Sequence, residues 1–184
     1  MYEEYIEILK SRLNEKRFEH SLNVAKKARE IAVRYGADEN KAYLAGLLHD
    51  ICKNDSEEKM LQIFDKFGII LDNVQVVSKK LWHSIAGAAY IEHFLNISDK
   101  ELLDSVRYHT TSRENATLMD KIIYIADFVS DERNFDGVDE LRQALDESLE
   151  LCYKNALSMS INVLSSEQCP IHADTFKAYN CVTL

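Results

Sequence analysis

The chain has 184 residues with a formal net charge of −9, and it contains 46% hydrophobic residues but only five glycines and one proline. One domain of this size buries a substantial core, and a Gly and Pro share far below the usual figure of about one residue in eight points to helices. The acidic balance disfavours unspecific binding to nucleic acid or anionic membrane, which needs a basic surface, but not a small phosphorylated ligand held by a few local cations or a metal. The four cysteines, Cys52, Cys152, Cys169 and Cys181, form no CxxC pair and are expected to be reduced thiols. The first residues, "MYEEYIEILK", are acidic and amphipathic, unlike a signal peptide, and no apolar run nears the ~20 residues of a membrane span, so a cytoplasmic location is expected.

In chain order, residues 14–35 read as a helix closed by Gly36, with Ser21, Val24, Ala28, Ile31, Ala32 and Tyr35 on one face. Asp38 suits the N-cap of the next helix, which runs into "LAGLLHDICKND". There Leu44, Leu47, Leu48, Ile51 and Cys52 make the apolar stripe, while the opposite side carries Ala42, Gly46, His49, Asp50 and Lys53 where solvated residues are expected. Residues 56–67 form a short helix stopped at Gly68. In "LWHSIAGAAYIEHFL" His83, Ala86, Tyr90 and Phe94 share a face, and in "SDKELLDSVRYH" Ser98 and Glu101 have capping-box spacing while Leu102, Val106 and His109 line up. "LMDKIIYIADFV" is apolar apart from Lys121 and the carboxylates Asp120 and Asp127; a long helix fits 138–165, and Pro170 precedes a last short element, "IHADTFKAYN". The expectation is all-α, a bundle of about seven or eight helices in one domain over residues 1–184.

Taken singly, His20, His83 and His109 are compatible with satisfied core histidines, and Asp127 with an interhelical ion pair. Taken together with His49 and Asp50, they place six polar residues on five helices, all turned inward. A shared metal ion accounts for all of them, because neutral imidazoles and carboxylates are its ligands and coordination offsets their desolvation.

The order H…HD…H…H…D, flanked by "RFEHS" and "IADFV", resembles the HD-domain superfamily of metal-dependent phosphohydrolases. "RFEHSLNVA", "AGLLHDICK", "LWHSIAGA", "YHTT", "DKIIYIADFVSDERNFDGV" and the tail "IHADTFKAYN" are similar to one branch, the bacterial YqeK-type symmetrical bis(5′-nucleosyl)-tetraphosphatases, which cut diadenosine tetraphosphate into two ADP. The motifs span about residues 17–180. The resemblance implies that His20, His49, Asp50 and Asp127 hold the metal, iron in this branch, with one or two ions in all. It implies that His83 and His109 bind a second ion or contact phosphate, and that Lys53, Asn54, Asp55, Ser56, Thr110, Arg133 and the tail residues His172, Ala173, Asp174, Thr175, Phe176 and Lys177 contact nucleotide. Asp50, Lys53 and Arg133 are the expected catalytic residues. Arg17 and Arg107 are weaker candidates, better read as solvated, and His93 lies on another face. The chain departs from the branch at "VSDER", where a Glu-Pro is common, and at "HTTSREN", where a Gly is common; neither departure is expected to touch a ligand. Two rivals stay open: another HD-type activity, a nucleoside monophosphatase or cyclic-nucleotide phosphodiesterase, and a nucleotide sensor without turnover.

Overall fold

The computed structural model describes residues 2–184, and among them there are eleven α-helices, one 3-10 turn and no strand. The helices are α1 (Glu3–Arg12), α2 (Glu15–Tyr35), α3 (Glu39–Leu48), α4 (Glu57–Lys66), α5 (Asn73–Val77), α6 (Trp82–Phe94), α7 (Lys100–Arg107), α8 (Leu118–Val129), α9 (Val138–Glu147), α10 (Leu149–Ser166) and α11 (Ala173–Thr183), with the 3-10 turn Lys79–Leu81 ahead of α6. The all-α expectation holds, but the count exceeds seven or eight for three reasons. The acidic first segment is itself helical. The stretch after Gly68 contains α5, started by an Asp72 and Gln75 capping box. The long helix expected over 138–165 breaks at Ser148, whose backbone is extended at φ −162° and ψ 152° and whose hydroxyl accepts from Leu151 N to start α10. Sequence periodicity runs through such a break because both halves keep their apolar faces turned to the same core.

Most boundaries follow local chemistry. Asn14, Asp38 and Ser56 accept backbone N–H bonds at the starts of α2, α3 and α4, and Gly36 ends α2 in the left-handed conformation at φ 72°. The capping box expected from Ser98 is replaced by Asp99, which accepts from Leu102 N. Thr117 and Asp120 form a capping box at the start of α8.

Helices α2, α3, α7 and α8 pack on one another at the centre, with α6 against α7 and the pair α9 and α10 closing one flank. The most extensive pairing is α2 with α3. Its cause is the small-residue face: Ala42 and Ala45 are fully buried, and a Cβ placed on Gly46 would lie 3.0 Å from both Ala25 Cα and Val24 O. Backbone against backbone leaves no room for a side chain. This close approach brings the start of α2, which carries His20, against the end of α3, where His49 and Asp50 follow.

Two glycines therefore respond differently to the same change. Gly46→Ala is expected to cost about 1–3 kcal/mol through overpacking against main chain, whereas Gly87→Ala, whose added Cβ would meet nothing closer than 3.6 Å, is expected to be neutral or to stabilise by up to ~1 kcal/mol through helix propensity. Urea denaturation of the two variants measures the difference.

Candidate metal centre

His49 and Asp50 do not lie on α3, as the periodicity suggests, but just past its end, in a run of turns from His49 to Ser56. The turn matters because it frees both side chains to face the same interior point. His49 is fully buried and Asp50 is 1% exposed. His20 arrives from α2, His83 from the first turn of α6, His109 from just beyond α7 and Asp127 from the last turn of α8.

His20 Nε2 lies 3.0 Å from Asp127 Oδ1 and 3.9 Å from Asp50 Oδ2, and His49 Nε2 lies 3.4 Å from Asp50 Oδ2 and 4.0 Å from Asp127 Oδ1. The other Asp50 oxygen, Oδ1, faces His83 Nε2 at 3.1 Å and His109 Nε2 at 3.6 Å. Asp50 thus turns one oxygen to each half of the cluster. His49 and His109 donate Nδ1–H to the carbonyls of Gly46 (2.7 Å) and Val106 (2.8 Å), which leaves each Nε2 an unprotonated donor pointing inward. Two of these buried atoms, His49 Nε2 and Asp50 Oδ1, have no hydrogen bond in the protein. Orphaned lone pairs on neutral imidazole and carboxylate, grouped in three overlapping triads with ligand atoms within 4.8 Å of one another, are the donor set of a metal ion. The triads are His20, His49 and Asp50; His49, His109 and Asp127; and Asp50, His83 and His109.

Charge around the cluster is asymmetric. Burial would raise the Asp50 carboxyl, yet in the metal-free protein the facing imidazoles of His49, His109 and His83 hold it well below its usual range, a role that a bound metal ion would take over once it uses the Nε2 lone pairs. Asp127 behaves likewise, with His20 and Arg133 overriding burial. Burial pushes His83 down to about 4, with Asp50 opposing, so this imidazole stays neutral at ordinary pH. Burial also lowers Lys53, again against Asp50; its Nζ sits 3.1 Å from His83 Nε2. Arg133 donates Nε–H to the Asp127 carbonyl at 2.7 Å and pairs through Nη2 with the Asp127 carboxylate.

The structure brings His20, His49, Asp50, Lys53, His83, His109, Asp127 and Arg133 together, with Thr110 Oγ1 bonded to Ser84 Oγ at 3.2 Å beside them. It engages other candidates elsewhere. Asn54 Oδ1 accepts from Asn14 N at 2.9 Å, Asp55 is buried against Arg12, and Ser56 caps α4. These three tie the post-HD turn to the rest of the fold. In the tail, His172 and Thr175 are buried, Ala173, Phe176 and Lys177 are exposed, and Lys177 lies 4.0 Å from Glu114. His172 Nε2 meets Asp72 Oδ2 at 2.6 Å and its Nδ1 accepts from Asp174 N at 3.2 Å, so it fastens α11 to the start of α5. His93 stacks on Phe67 with ring centroids 4.0 Å apart, and Arg107 lies by the Tyr108 ring at 5.6 Å, outside the cluster's contacts.

Two partners of the cluster were not foreseen as such. Arg17 donates to Asp50 Oδ2 at 2.7 Å; its position three residues before His20, on the same side of α2, was the available signal. Glu132 meets His20 Nδ1, from the very stretch expected to leave the ligands untouched.

Helices that deliver a histidine, a His-Asp pair and a distant aspartate to one buried point define an HD-type fold, and the model of the HD domain family matches residues 17–130: the chain belongs to that family. It is 34% identical to the symmetrical bis(5′-nucleosyl)-tetraphosphatase of Bacillus subtilis over 97% of this chain and 95% of that one. It is 42% identical to the protein of the same name from Staphylococcus aureus, over 73% and 69% of the two chains. A crystal structure described as a predicted HD superfamily hydrolase involved in NAD metabolism, from Clostridium acetobutylicum, superposes with a TM-score of 0.95 at 35% identity, covering 99% of this chain and 96% of that one.

If His172 is the fastening of the tail, His172→Ala should expose α11 to limited proteolysis at least tenfold faster than wild type, and Asp72→Asn should do so more weakly. Equal cleavage rates in all three proteins would contradict that role.

Proposed function

We propose that the protein hydrolyses diadenosine tetraphosphate symmetrically to two ADP, as a single cytoplasmic domain working on a small-molecule substrate. The observation that carries the metal part is the pair of orphaned buried donors, His49 Nε2 and Asp50 Oδ1. Near full-length similarity to proteins named for the symmetrical reaction supports the substrate. His20, His49, Asp50 and Asp127 are read as the metal ligands and iron as the metal. When bound, such an ion lowers the pKa of water and polarises a phosphoryl oxygen.

The remaining steps belong to the protein. Asp50, with one oxygen on each side of the cluster, is read as the group that orients the attacking water or helps to deprotonate it. Lys53 and Arg133 are read as cations that meet the equatorial oxygens as negative charge develops. Arg133 commits Nε and Nη2 to Asp127 and lines the cleft beside His20, which leaves Nη1 for substrate. Lys53 Nζ lies 3.1 Å from His83 Nε2 and 3.9 Å from Asp50 Oδ1, and His83 and His109 beside it are read as ligands of a second ion or as phosphate contacts. A cleft of about 430 Å³ beside His20, lined by Arg17, Glu132, Arg133 and Phe135 among others, is read as the way in. Thr110 and the tail residues from His172 to Lys177 are read as the hold on one ADP half, with Asn54, Asp55 and Ser56 shaping the turn behind Lys53. ADP is a good leaving group, so no strong general acid is needed. Among the described residues no helix is long and apolar enough to cross a membrane.

Metal-assayed protein incubated without oxygen with diadenosine tetraphosphate should release ADP alone. Asp50→Ala should lower the rate by more than about a hundredfold, since losing a ligand exceeds the 10–100-fold cost of losing an outer partner. AMP with ATP as products, or faster turnover of a nucleoside monophosphate, a cyclic nucleotide or NAD, would overturn the assignment. Tight nucleotide binding without turnover would identify a sensor.

A further inference from the structure

The outer nitrogen of each cluster histidine decides what its inner nitrogen can do. His49 and His109 are fixed by backbone carbonyls, neutral acceptors that set the tautomer and little else. His20 is treated differently: its Nδ1 meets a carboxylate oxygen, Glu132 Oε1. That oxygen is itself held, since Ser130 Oγ–H donates to it at 2.8 Å, and Ser130 is fully buried.

The segment carrying these residues is anchored at both ends. Arg142 Nη2 donates to the carbonyls of Ser130 (3.0 Å) and Arg133 (2.9 Å), and Arg133 grips Asp127. The turn after α8 therefore puts Glu132 on His20 and Arg133 on Asp127 at once. A carboxylate accepting Nδ1–H holds a histidine with its Nε2 lone pair turned inward and makes that nitrogen a stronger donor.

We infer that Glu132 is a positioning residue of the metal centre: through His20 Nδ1 it sets the tautomer of that ligand and raises the affinity of the site for a divalent transition metal. The inference rests on the metal reading above and on no substrate. Its expected size is the 10–100-fold in affinity that such outer partners contribute.

The test is Zn²⁺ affinity by competition with a chromophoric chelator, with no nucleotide present, for wild type, Glu132→Ala and Glu132→Gln. The Ala variant should bind about 10–100-fold more weakly. The Gln variant keeps a carbonyl acceptor without the charge and should fall between. Imidazole ¹⁵N shifts of Zn²⁺-loaded protein should move at His20 Nδ1 in both variants and leave His49 and His109 in place, which a general loosening of the fold would not do. Wild-type affinity in Glu132→Ala, or an unmoved His20 resonance, would overturn the inference. Failure of wild type to bind Zn²⁺ would overturn the metal reading beneath it, whereas weakened binding in a protein inert toward diadenosine tetraphosphate would overturn only the proposed substrate.

Discussion

A carboxylate with 1% of its surface exposed, Asp50, is the group that the centre of this protein is arranged around. Removing an ionised carboxylate from water costs several kcal/mol unless charge and hydrogen bonds replace the lost hydration. Arg17 supplies one such contact at Oδ2, but Oδ1 is left without a hydrogen bond. A metal ion on the Oδ2 side is proposed to share in the compensation, and a second ion or a substrate phosphate on the Oδ1 side would account for the other two of the four buried histidines that face this carboxylate.

That arrangement depends on how closely two helices approach. Gly46, with Ala42 and Ala45, lets α3 lie against the backbone of α2, and this sets His20 within reach of the turn that carries His49 and Asp50. Apolar contacts from α7 and α8 then supply His109 and Asp127 from fixed elements. The cations Lys53, Arg17 and Arg133 sit at the rim, where a polyphosphate would meet them. Helices α2 and α8 hold His20 and Asp127, a turn holds His49 and Asp50, and the turn after α8 ties His20 and Asp127 to Glu132 and Arg133.

Much of this was legible in the chain. The apolar stripes located the central helices, and the inward position of His20, His83, His109 and Asp127 on those stripes marked the cluster before any fold was known. Gly46 announced the close approach. What stayed hidden was set by tertiary context. The break at Ser148 interrupts a pattern whose apolar period continues across it. The displacement of His49 and Asp50 off the helix end is invisible to periodicity. For His172, which the family resemblance of the tail offers as a nucleotide contact, the hidden part is its partner Asp72, a hundred residues away in sequence. Glu132 carried no signal at all, since a glutamate in a polar turn is ordinarily solvated.

The central claim is that a metal ion offsets the burial of Asp50, and thermal unfolding of metal-free and metal-loaded protein tests it most directly when wild type is compared with Asp50→Asn. Loading wild type at a hundredfold excess over the dissociation constant should add about 2.7 kcal/mol, a rise in Tm of roughly 5–10 °C for a chain of this size. Asp50→Asn, which removes a charged metal donor, should gain little from metal. A wild-type Tm unmoved by metal, or an equal rise in Asp50→Asn, would contradict the account.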